Sequence, residues 1–227
     1  MVRVVPGVVT SRSATARVVL PTGRQPVWPP FARVAETIVA VGRRFPAHVH
    51  ENAEVLTFVV EGLAAYELPP SPPVSMEPGS LELLASSAEV THAIRPAQGT
   101  SVRWFSLVAD LPPGASVPTR AQFDRPTPSG PQADGTVVRR LVGPGARVVS
   151  ATGLEAEEVA FGPGGTSFRR IGRDRRGLVY AFSGRGRVDG EPIEVGEAAL
   201  VENASGIALQ GNPGFRVALA TLPRPPD

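Results

Sequence analysis

Apolar residues in this chain fall into short runs, some alternating with polar residues and some unbroken, and proline or glycine separates them. Through residue 30 the alternation is loose: Val2, Val4 and Val5, then Val8 and Val9, then Val18 to Leu20, broken by Pro6, Pro21, Pro26, Pro29 and Pro30. This pattern predicts short edge strands and turns. Phe31 to Val41 alternates well enough for a core strand. The β-branched run Val55 to Val60 stops at Glu61-Gly62, a turn signal, and Leu63 to Leu68 reads as the return strand of a hairpin. A proline-rich stretch, ELPPSPPVSMEPGS, reads as a surface loop. Strands are then expected over Leu81 to Ala85, Val90 to Ile94 and Val102 to Ala109.

From Asp110 to about Pro131 the composition shifts to DLPPGASVPTRAQFDRPTPSGP, the one clear linker. After it the pattern repeats. Leu178 to Gly184 lines up with Leu56 to Gly62, Glu191 to Gly196 lines up with Met76 to Gly79, and Phe215 to Leu222 closes the second half. The chain is therefore expected to be all-β and built of two similar units, residues 1–115 and 116–227.

Composition sharpens this reading in three ways. The 24 glycines and 25 prolines favour turns and short strands over long helices. The absence of cysteine excludes disulfides, thiolate metal sites and a cysteine nucleophile. All 23 basic residues are arginine, which excludes Schiff-base chemistry on a lysine. With a net charge of +2 and no aromatics between the basic residues, the arginines at 170, 173, 175 and 176 read as a solvated strand and loop, so direct nucleic-acid contact is not expected. GPGGTSF, residues 162–168, lacks the ending of a phosphate loop and reads as a turn. No stretch of 18 apolar residues predicts a membrane helix, and the N-terminus does not read as a secretory signal, so a cytoplasmic protein is expected, a monomer by default.

The three histidines carry the candidate chemistry. His48 and His50 stand one residue apart before the apolar run, and the period of two puts both imidazoles on one face of a strand. Glu54 keeps the same parity, and His92 comes 13 residues after Gly79. Such a set suits one divalent transition metal inside a β-barrel.

These residues also carry a resemblance. Gly42, then His48-Val-His50, Glu54 and Gly62 resemble the first motif of the cupin superfamily, and Pro78-Gly79 to His92 resembles the second. The details look like the pirin family: FPAHVHENAEVLTFVVEG, the step from Gly79 to His92, Trp28-Pro-Pro-Phe31 upstream, and the stretch Arg103 to Pro112. The resemblance implies two antiparallel jelly-roll barrels, a bicupin. The first would bind metal through His48, His50 and His92. The second would be degenerate, since counting back from Gly184 puts Arg170, Gly172 and Arg176 at the positions of His48, His50 and Glu54, and counting on from Gly196 puts Leu209 at that of His92.

The resemblance further implies iron(II), with manganese, nickel, copper or zinc also compatible with imidazoles. It departs at one point, because the pirin pattern has a glutamate ligand two residues after the third histidine and this chain has Ile94. Glu54 and Glu51 are the residues that could supply a replacement carboxylate, with Glu54 also the weak candidate for a catalytic base. Phe58, Ile94 and Trp104 are expected to line the pocket. The resemblance implies a small-molecule dioxygenase of the quercetin 2,3-dioxygenase type, or a non-enzymatic regulator that acts through a protein partner in response to metal or redox state.

Overall fold

The structure, a computed structural model, describes residues 1–11, 14–22, 26–97 and 99–225. Among them are 21 strands and no helix. They form two compact units, Val8–Arg125 and Met1–Gly7 together with Pro126–Asp227. The expected division at 115/116 therefore shifts at both ends. The first strand, β1 (Val2–Pro6), completes a sheet of the second unit by pairing with Glu197–Val201. Its alternating valines look like those of any edge strand and carry no local cue to that distant partner.

The first unit contains β2 (Val8–Ser11), β3 (Thr15–Leu20), β4 (Phe31–Val39), β5 (His48–His50), β6 (Ala53–Gly62), β7 (Ala64–Glu67), β8 (Val74–Met76), β9 (Leu81–Ser86), β10 (Val90–Pro96), β11 (Val102–Asp110) and β12 (Arg120–Asp124). Seven of these form one sheet in the order β12-β9-β6-β11-β4-β3-β2, and four form a second in the order β5-β10-β7-β8. All pairings are antiparallel. The stretch read as a linker holds β12, which pairs with β9 from Arg120↔Ala85 to Asp124↔Leu81 and forms the edge of the larger sheet. Prolines on both sides of a five-residue strand hide it at the level of composition.

The inward faces pack Val39, Val59, Ala64, Tyr66, Met76, Ile94, Val102 and Trp104 into one apolar cluster. The hairpin after β6 depends on Gly62. Its φ is +78°, and a Cβ there would lie 2.0 Å from the Ser101 carbonyl oxygen. Only glycine meets both conditions.

The second unit adds β13 (Thr136–Val142), β14 (Glu155–Phe161), β15 (Thr166–Arg170), β16 (Arg175–Ser183), β17 (Arg185–Val188), β18 (Glu191–Glu194), β19 (Glu197–Val201), β20 (Gly206–Gly211) and β21 (Arg216–Pro223). Its sheets run β1-β19-β16-β21-β14-β13 and β15-β20-β17-β18. The repeat is visible strand for strand: β15 pairs with β20 as β5 pairs with β10.

The register corrects the ungapped count. In the first unit His48 lies opposite His92 and His50 opposite Val90. In the second, Leu209 and Ile207 lie opposite Ser167 and Arg169, not opposite Arg170 and Gly172. The turn between β15 and β16 is longer than its counterpart between β5 and β6, and that length displaces the count. Arg169 approaches Glu157 at 3.5 Å, and Leu209 is fully buried.

Candidate metal centre

The short strand β5 and the longer β10 bring the three histidines together. Antiparallel pairing sets His48 directly across from His92, and His50 follows on the same face, while Val49 between them is 52% exposed. One nitrogen from each imidazole lies within 4.8 Å of the other two. The ring centroids are 4.4 to 5.0 Å apart. Among the described residues this is the only group of three or more histidine or carboxylate side chains placed to hold a metal.

Hydrogen bonding fixes which nitrogens face the centre. His48 Nδ1 lies 3.2 Å from the Pro46 carbonyl oxygen, which can only accept, so Nδ1 carries the hydrogen and Nε2 is bare. On the other side the Tyr66 hydroxyl donates to Glu82 Oε1 over 2.9 Å, which leaves its oxygen to accept from His92 Nδ1, also at 2.9 Å. His92 Nε2 is then bare as well. These two bare nitrogens stand 3.0 Å apart. Two lone pairs at that distance repel unless a cation lies between them. The separation is also short enough for both nitrogens to bind one ion. His50 Nε2 is buried and has no hydrogen-bond partner. The residues present fit a metal ion.

Burial opposes protonation of all three imidazoles. It lowers His48, pushes His50 down to about 4 and His92 down to about 3, and the neighbouring imidazoles and Arg33 add to the effect. All three are therefore neutral near pH 7, the form that ligates. Glu82, fully buried, is pushed up to about 8 by desolvation, with the Tyr66 hydrogen bond opposing. Burial also raises Tyr66.

The histidines open onto a cavity of about 340 Å³. Phe45 meets both His48 and Trp104 edge-on, at centroid distances of 5.2 and 5.4 Å. Ile94 and Trp104 stand in the cavity wall, as do Val55, Thr57 and Val108. Phe58 does not. Val55 and Thr57 on β6 face the cavity, so the even-numbered residues of that strand face away, and Phe58 pairs across to Phe105 on the opposite side of the sheet. The same parity turns Glu54 away: it is fully buried outside the cavity lining. Glu51 is exposed in the turn between β5 and β6. Neither glutamate joins the metal-ligating group. Among the described residues no carboxylate replaces the ligand that the pirin pattern would put at Ile94.

Three residues of the site escaped the reading of the sequence: Tyr66, Glu82 and Arg33. Glu82 has a recognisable signal, a single carboxylate in the apolar strand Leu81 to Ala85, buried throughout. Arg33 has a weaker one, a half-buried charge in the core strand β4, which also holds Glu36.

No family model matches the chain, and no curated protein is similar to it. Solved structures are. The nickel(II) complex of the bacterial pirin YhhW from Escherichia coli superposes with a TM-score of 0.83 at 15% identity, covering 99% of this chain and 100% of that one. GK1651 from Geobacillus kaustophilus gives 0.87 at 22% identity, with 99% and 97% covered. A quercetin 2,3-dioxygenase from Acinetobacter baumannii gives 0.84 at 14% identity, with 98% and 79% covered.

Proposed function

We propose that this chain, which has the two-barrel cupin fold of the pirins, is a metal-dependent oxygenase of a small organic molecule, with one iron(II) held in the first barrel by His48, His50 and His92. The observation that carries the reading is the pair of bare Nε2 atoms of His48 and His92, 3.0 Å apart, beside the unpartnered Nε2 of His50. The fold likeness to a nickel-bound pirin and to a quercetin 2,3-dioxygenase supports it.

A bound divalent transition ion would supply Lewis acidity and, as iron, redox chemistry toward dioxygen. The protein's own groups do the rest. The Pro46 carbonyl and the Tyr66 hydroxyl hold His48 and His92 with Nδ1 protonated and Nε2 free. Phe45 meets the His48 ring edge-on and is itself met edge-on by Trp104, and both make the wall apolar. A cavity of about 340 Å³ accommodates one small molecule. No aspartate or glutamate lines it, so a substrate proton finds no carboxylate acceptor there.

The test is anaerobic loading of the full chain with iron(II), followed by metal analysis and oxygen uptake with flavonols and other small aromatics. One iron per chain and substrate-dependent oxygen consumption are expected, both lost in His50→Ala. Equal metal content in wild type and His50→Ala would overturn the metal centre. Full loading without oxygen uptake would overturn the oxygenase and leave a metal-responsive binding protein.

A further inference from the structure

Arg33 is set apart from the other half-buried arginines of the sheets. Arg17 and Arg103 pair with Glu36 at 3.2 and 2.6 Å, Arg139 with Glu158 at 3.2 Å, and Arg176 with Glu202 at 2.7 Å. Arg33 sits half-buried on β4, opposite Val108 of β11, in the wall of the metal cavity. Among the described residues no carboxylate pairs with it. Desolvation alone lowers its pKa, and its charge is felt at His48 and His50. A guanidinium taken partly out of water without a counterion is costly to hold.

The rest of the lining leaves that charge unanswered. It comprises neutral imidazoles, the hydroxyls of Thr37, Thr57 and Ser106, and apolar walls. A divalent ion on the histidines would add two further positive charges to a cavity of about 340 Å³. The site carries positive charge among largely apolar walls, and among the described residues no lining carboxylate can accept a proton. We infer that its ligand is a small hydrophobic monocarboxylate, entering already ionised, with its carboxylate on the Arg33 guanidinium and its apolar body against Phe45, Ile94 and Trp104. A planar guanidinium suits a carboxylate through two parallel hydrogen bonds. The substrate class rests on the metal-centre reading above for its chemistry, but the anion site stands on Arg33 alone.

The experiment uses the full chain, metal-free and loaded with redox-inert zinc(II), titrated with benzoate, with benzyl alcohol as the uncharged analogue and with acetate as the anion lacking an apolar body. Isothermal titration is expected to give one benzoate site per chain in both forms. Benzyl alcohol and acetate should each bind at least about tenfold more weakly. Arg33→Leu, and Arg33→Met as a second variant of closer length, should lower benzoate affinity about tenfold or more while retaining one zinc per chain. Equal affinity for benzoate and benzyl alcohol, unchanged benzoate binding in a folded Arg33 variant, or no benzoate binding at all would overturn the inference. Acetate binding as tight as benzoate would make the site one for anions generally and also overturn it. Loss of zinc binding with Arg33-dependent benzoate binding intact would instead sink the metal centre and leave the anion site standing.

Discussion

His92 Nδ1 lies 2.9 Å from the Tyr66 hydroxyl, whose own hydrogen is committed to Glu82. A carboxyl, a phenol and an imidazole thus form one chain of hydrogen bonds that ends on Nδ1 of a ring whose bare Nε2 faces the candidate metal centre. Ligating histidines depend on such partners for their tautomer and orientation. Tyr66→Phe removes the acceptor without changing the ring that packs against Met76 and Ile94. The variant is expected to fold, to bind one metal per chain, and to bind it about 10- to 100-fold more weakly than wild type. Competition against a chelator of known affinity reads this directly, and unchanged affinity would show that His92 needs no support from Tyr66.

Glu82 makes proton release measurable. The histidines are already neutral near pH 7, with His50 at about 4 and His92 at about 3, so metal uptake draws almost no protons from them. Glu82, held up at about 8, is largely protonated at that pH. A cation on His92 favours the carboxylate at the far end of the hydrogen-bond chain. Metal binding at pH 7 is therefore expected to release up to about one proton, and Glu82→Gln to release almost none. Titration in buffers of different ionisation enthalpy separates the two cases. The same shift affects stability in a definite direction. A folded pKa above the unfolded value of 4.5 contributes stability below that value and loses it as pH rises through about 8, so metal-free Glu82→Gln should lose less stability than wild type on going to pH 9.

The histidines give the opposite slope. His92 falls to about 3 from an ordinary value of 6.5. Depression of the folded pKa means that its contribution is present above 6.5 and is lost as pH falls toward 3, because the unfolded chain takes up the proton first. Between pH 6.5 and 5 this one buried imidazole costs about 2 kcal/mol. Thermal unfolding of the metal-free protein at pH 7 and pH 5 should show that loss, and His92→Gln should show less of it. Parallel pH profiles for the two would mean that His92 titrates freely in the folded protein.

What could be read in the sequence follows from what is local. His48, His50, the run from Val55 to Val60 and Gly62 lie within one continuous stretch, so the period of two reveals the paired imidazoles directly. Pocket residues were harder because β6 is buried on both faces over Ala53 to Val60. Apolar residues on both sides conceal which parity faces the cavity, and so Phe58 and Glu54 read as site residues although Val55 and Thr57 line it. Arg33, Tyr66 and Glu82 come from three further strands, β4, β7 and β9, and only the sheet register brings them near the histidines. The second-barrel equivalents of His48 and His50 were displaced for a different reason, since residues added in a turn leave no trace in a pattern of glycines that still matches at Gly184 and Gly196.

Ile94 offers the sharpest test of the cavity. It is 2% exposed, lines the cavity beside His92 on β10, and stands where the pirin pattern has a ligand. Ile94→Glu would place a carboxylate among three imidazoles and Arg33, so its effect depends on what else is present. Without metal the added carboxyl is buried with imperfect partners, and a loss of about 1–3 kcal/mol is expected. With metal it can ligate, so the rise in melting temperature on adding metal should exceed that of wild type. It would also compete for Arg33, so benzoate affinity should fall even where metal affinity rises. Differential scanning calorimetry with and without zinc, and benzoate titration of the same samples, read the three effects separately. If metal stabilises Ile94→Glu no more than wild type, residue 94 does not face the ion, and the arrangement of the cavity around His92 is wrong.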